Sequence, residues 1–144
     1  MKNIFLTLFF LISCTNPLVR FSKGEQLFID EFLFKKKEVA VGDHIVFVLN
    51  KSACEPCEKV VKEFYMQPFG NIKKVFVVGS ERSPEPDELN NFVYFDYKRL
   101  AKYGVTKVNG LVLLFKEGKC VLLESIDIQN ITYLNRKINK MLKQ

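Results

Sequence analysis

Apolar and polar positions along the chain change period several times, and each change marks an element. Residues 44–50 contain the unbroken run Ile45-Val46-Phe47-Val48-Leu49. A strand buried on both faces needs such a run, so a central, parallel strand is predicted there, with Val41-Gly42-Asp43 as the turn before it. The period then becomes helical. Cys57, Val60, Val61 and Phe64 share one face of the pattern over residues 58–66, which Pro68 and Gly70 end. Residues 74–78 form a second strand. The loop 79–88, with Pro84 and Pro86, leads to a third short run at 92–95. Residues 97–103 read as a short helix closed by Gly104. Residues 111–115, the turn Lys116-Glu117-Gly118 and residues 119–123 make a β-hairpin. A last helix near 130–142 aligns Ile131, Leu134, Ile138 and Leu142 on one face. In residues 25–37, Leu27, Phe28, Phe32, Leu33 and Phe34 lie among charges in a pattern open to both helix and strand. The expected fold class is α/β: a central mixed sheet flanked by helices, ending in a hairpin and a helix.

The first residues stand apart from this order. Lys2 precedes an apolar stretch, residues 4–12, that ends in Leu11-Ile12-Ser13-Cys14. The stretch is far shorter than the roughly 20 residues of a membrane-spanning helix, and small Ser13 before Cys14 suits a cleavage site. This looks like a bacterial lipoprotein signal. By that resemblance residues 1–13 are removed, Cys14 becomes the lipidated N-terminus, residues 14–24 form a tether, and residues 25–144 form one domain outside the cytoplasm. A plain secretory signal is the alternative. Thr15 stands where some Gram-negative lipoproteins carry the Asp that retains them at the inner membrane, which points to the outer membrane.

The remaining 130 or so residues are enough to bury a core without disulfide staples. The four cysteines therefore sort into the lipid site, a close pair and a lone Cys120, which reads as a small packed hydrophobe sharing a strand face with Leu122. The net charge of +6 is spread through Lys35-Lys36-Lys37, Lys73-Lys74, Lys98-Arg99 and the terminal Arg136, Lys137, Lys140 and Lys143, with acids interspersed. No interleaving of aromatic and basic residues accompanies it, so solvated faces are expected rather than a nucleic-acid surface. Lone His44, at a strand start, reads as a surface or capping residue.

Cys54-Glu55-Pro56-Cys57 falls where the predicted strand hands over to the helix. A helix N-terminus offers unpaired N–H groups and a partial positive charge, which favour a nucleophilic thiolate at Cys54; Cys57, one turn on and facing inward, is placed to resolve it. Glu55 and Glu58 work against that thiolate, so Glu55, Pro56 and Glu58 are the residues that tune the pair, leaning it toward reductant or isomerase. A fixed structural disulfide is the inert reading of the same two cysteines.

With these elements in order, residues 43–144 resemble the thioredoxin superfamily. The stretch from Phe95-Asp96-Tyr97-Lys98-Arg99-Leu100-Ala101-Lys102-Tyr103-Gly104-Val105 to Leu113-Leu114-Phe115-Lys116-Glu117-Gly118-Lys119 is similar to the corresponding thioredoxin segment. The extra run at 92–95 is similar to that of membrane-anchored periplasmic thiol-disulfide oxidoreductases. The resemblance implies catalytic Cys54 and Cys57 and a substrate groove at Ala53, Asn109 and Gly110. Three positions depart from it. Ala53 stands in place of the usual Trp, Val48 in place of a frequent buried Asp, and residues 105–110 lack the cis-proline that faces the cysteines. A non-proline cis bond costs roughly 2.5–4 kcal/mol, so a trans loop and a reshaped groove are expected. With Val48 apolar, proton handling for Cys57 falls to Glu58 or water.

The resulting expectation is a lipid-anchored, periplasm-facing thiol-disulfide oxidoreductase that needs no cofactor. It acts on protein thiols or disulfides, is re-reduced by a membrane electron donor and makes no use of nucleic acid. The alternative is a thioredoxin-like lipoprotein for metal handling or binding. Two thiolates are too few for closed zinc, so a soft monovalent copper ion or a shared site would suit them better.

Overall fold

Residues 44–49 are buried without a break because helices cover both faces of the sheet they cross. The computed structural model describes residues 20–35, 42–50, 54–80, 92–96, 102–104 and 110–144. Its elements in chain order are α1 (Lys23–Lys35), β1 (His44–Asn50), α2 (Glu55–Met66), β2 (Lys73–Ser80), β3 (Phe92–Asp96), β4 (Gly110–Lys116), β5 (Lys119–Ser125) and α3 (Ile131–Leu142). The strands form one five-stranded sheet in the order β3-β2-β1-β4-β5. β1, β2 and β3 run parallel; β4 runs antiparallel to β1, and β5 to β4. This is a thioredoxin-like α/β arrangement with the predicted strand at its centre. The signal segment 1–13, Cys14, Ala53, Asn109 and most of the expected helix over 97–103 lie outside the described residues.

Alternation along the strands builds two cores. Ile45, Phe47 and Leu49 point to one face, where Val60, Val61 and Phe64 of α2 and Leu134 and Ile138 of α3 cover them. Val46 and Val48 point to the other, against Phe28 and Ile29 of α1. Phe47 lies among aromatic rings, with centroids 5.5 Å from Phe64, 5.4 Å from Tyr65 and 6.2 Å from Phe69. The ambiguous segment 25–37 is thus helical as far as Lys35. Its start is a reciprocal cap: Glu25 N–H donates to Ser22 Oγ (3.2 Å), and Ser22 N–H to Glu25 Oε2 (2.7 Å).

Two expectations change. His44 is 3% exposed, not a surface residue, and its Nδ1 bonds the Gly42 carbonyl at 3.0 Å. Cys120 and Leu122 do not share a face. Leu114 pairs with Leu122 but Phe115 pairs with Cys120, so one extra residue, Val121, bulges out of β5 and reverses the alternation. Leu122 joins the α2–α3 core, whereas Cys120 packs on the α1 side.

Several lysines close helix ends. Lys74 Nζ donates to the Tyr65 and Gln67 carbonyls (2.7 and 3.2 Å) at the end of α2, and Lys116 Nζ donates to Met141 O (3.0 Å) at the end of α3. Lys137 pairs with Glu124 at 2.8 Å. Among the described residues, no helix is long and apolar enough to cross a membrane.

Candidate functional site: the Cys54–Cys57 pair

The first turn of α2 forms because three local requirements coincide. Cys54 occupies the N-cap with extended backbone (φ −64°, ψ 148°), and its carbonyl accepts the Cys57 and Glu58 N–H groups at 2.8 and 3.1 Å. Pro56 follows in the first turn, where its fixed φ suits a helix and its missing N–H costs no helical bond. Val60, Val61 and Phe64 then anchor the helix on the sheet. At the far end the Gln67 N–H donates to Phe64 O, and Pro68 prevents continuation.

This anchoring sets the cysteines just beyond the carboxyl end of β1. There the chain leaves β1 toward β2 on one side while β4 lies on the other, the switch point at which open α/β sheets place their sites. Cys54 and Cys57 are joined in a disulfide with Sγ–Sγ 2.05 Å and Cα–Cα 5.2 Å. Cys54 is exposed and Cys57 half-buried, as the helical spacing predicts. An incoming sulfur therefore has open access to Cys54, while the N-terminus of α2 supplies positive potential for a thiolate formed there.

The residues expected to tune the pair are divided by the geometry. Pro56 lines a groove with Cys57. Glu55 is exposed, so solvent screens its charge. Glu58 Oε2 lies 3.7 Å from Lys62 Nζ along the outer face of the helix. Of the expected groove residues, Gly110 lies among the described ones. It is buried at the start of β4, paired with Leu49, and a side chain there would collide with Val61. The Gly110 carbonyl accepts the Ile126 N–H at 2.8 Å and so pins the turn after β5.

That turn supplies the other wall. The groove, about 410 Å³, lies between Pro56, Cys57 and Val60 on α2 and residues 126–129 on the turn. Asp127 Oδ1 accepts the Gln129 and Asn130 N–H groups (2.8 and 3.0 Å), Asn130 Oδ1 accepts Asp127 N–H (3.0 Å), and Asn130 Nδ2 donates to Ser125 O (2.8 Å). Ile128, at the tip, is 73% exposed. Nothing in the linear sequence ties these residues to the cysteine pair. Asp127 and Asn130 before a helical pattern mark a helix start, but only the sheet order brings that start beside Cys57.

Cys120 is free, and its Sγ donates to Leu122 O at 3.2 Å. Burial pushes its thiol up from 9.0 to about 12, with a smaller opposing pull from the Leu122 backbone. It is a packed thiol, inert at neutral pH. No group of three or more His, Cys, Asp or Glu poised to hold a metal ion occurs among the described residues. No protein-family model matches the chain, and no curated protein matches it either.

Proposed function

We propose that this chain is an extracytoplasmic, lipid-anchored thiol-disulfide oxidoreductase whose working group is the Cys54–Cys57 pair. The observation that carries the reading is the asymmetry of the disulfide: an exposed sulfur at a helix N-cap is bonded to a half-buried one a turn later. In the reducing direction the Cys54 thiolate attacks a partner protein's disulfide and forms a mixed disulfide, while the other partner sulfur leaves as a thiolate. Cys57 then attacks Cys54 Sγ, closes the internal disulfide and releases the second partner sulfur. The protein has lost two electrons and the partner has gained them, so a membrane electron donor must restore the dithiol. The two acids of the first turn, Glu55 and Glu58, though screened by solvent and by Lys62, still add no support to the thiolate and lean the pair toward reductant or isomerase. Lipid attachment at Cys14 and a periplasm-facing location belong to the same proposal and rest on the sequence of residues 1–14.

The test is covalent capture in native cells. Cys57→Ser removes the resolving thiol, so mixed disulfides with partners accumulate and are released by dithiothreitol; Cys54→Ser traps almost nothing. Absence of adducts from Cys57→Ser, together with no disulfide reductase activity in the wild type, would instead favour a binding scaffold with a fixed disulfide or a metal held on the two thiols.

A further inference from the structure

We propose that Asp127 handles the proton of Cys57 during exchange, an inference that rests on the redox reading of the disulfide. Val48 is apolar and packs toward α1, so β1 gives Cys57 no carboxylate at that position. At 100° per residue, Glu55 lies almost opposite Cys57 around α2, and Glu58 lies over a quarter-turn away and is paired with Lys62. Asp127 stands on the wall of the groove that Cys57 shares, and these two are the titratable residues lining it. Asp127 Oδ1 is spent on the turn, accepting from Gln129 and Asn130; among the described residues no hydrogen bond to Oδ2 is found. A groove of about 410 Å³ has room for the water that would join the carboxylate to the sulfur. The other charged groups nearby are paired or stand off the groove: Glu58 with Lys62 and Lys59 with Glu63 on α2, Glu124 with Lys137 between β5 and α3, and Glu55, which is exposed like Asp127 but does not line the groove.

The step begins from the mixed disulfide between Cys54 and a partner. Cys57 gives its thiol proton through groove water to the Asp127 carboxylate, and its sulfur attacks Cys54 Sγ. The Cys54–Cys57 bond forms, the Cys54–partner bond breaks, and the partner sulfur leaves with the electron pair and takes a proton from solvent. In the reverse direction the protonated carboxyl returns the proton to the departing Cys57 sulfur.

Asp127→Asn separates this role from the cap, because an Asn Oδ1 still accepts from Gln129 and Asn130. The reduced full-length protein is mixed with an aromatic disulfide reagent that releases one coloured thiolate when Cys54 attacks it and a second when Cys57 resolves the adduct. In Asp127→Asn the first phase should be unchanged and the second slowed about tenfold or more at pH 7. Its rate should then rise about tenfold per pH unit with the thiolate fraction alone, whereas the wild type rises less steeply. Second phases that superimpose at every pH would overturn the role of Asp127. So would a loss shown by Asp127→Ala but not by Asp127→Asn, which marks a cap alone. A wild type that releases no second thiolate would overturn the redox reading itself.

Discussion

Cys54 and Cys57 were legible as a pair from three residues of spacing, and their inequality from the helical stripe that continues through Val60, Val61 and Phe64. Cys120 was legible as a packed thiol, but the face it occupies was not, because period two along β5 holds only while no residue is inserted. Its burial makes a pH-dependent prediction. The folded chain keeps the Cys120 proton up to about 12, whereas an unfolded chain gives it up near 9.0. Stabilisation is therefore complete below the unfolded value and is lost as pH rises toward the folded one, at about 1.4 kcal/mol per pH unit. Urea midpoints between pH 8 and 11 should fall more steeply for the wild type than for Cys120→Ala. Parallel curves would show that the thiol ionises freely in the folded state. His44 is the opposite lesson: a lone polar residue at a strand start reads as exposed, and its burial depends on neighbours from elsewhere in the chain.

At the scale of elements, β1, β2, β3, α2, the hairpin and α3 follow from their periods. α1 did not, although Ser22 and Glu25 carry the S-x-x-E spacing that fixes its start. The hairpin closes through two residues with positive φ, Glu117 at 51° and Gly118 at 75°, the primed geometry that matches strand twist. Gly110 has a different reason to be glycine. A Cβ there would collide with Val61 and lie 3.1 Å from Val48 O, so β4 approaches α2 as closely as a backbone allows. Gly110→Ala should cost about 1–3 kcal/mol through overpacking. Adding Val61→Ala should recover part of that cost, giving a double mutant more stable than the sum of the two singles predicts. Denaturant midpoints of the four proteins measure the coupling. Additive effects would mean that the contact relaxes without strain.

For the whole molecule, the sheet order puts the disulfide at the switch point, and the turn after β5 comes to face it through Gly110, a contact between residues more than fifty positions from the cysteines that no local pattern announces. Attachment belongs to this scale too. The mature chain should begin at Cys14 and carry acyl chains, as intact mass would show, and Cys14→Ala should move it from the membrane fraction to the soluble one. A membrane-bound protein that still begins at Met1 would refute this. The bulge at Val121 bears on the same chemistry from a distance. It turns Cys120 to the α1 side of the sheet, opposite a residue of β4 that itself pairs with His44 at the start of β1, whereas the disulfide lies past the other end of β1 and on the α2 side. The sheet thus stands as an insulating wall between the two sulfur sites: under the proposed redox role, the spare sulfur of Cys120 is kept from scrambling with the Cys54–Cys57 pair.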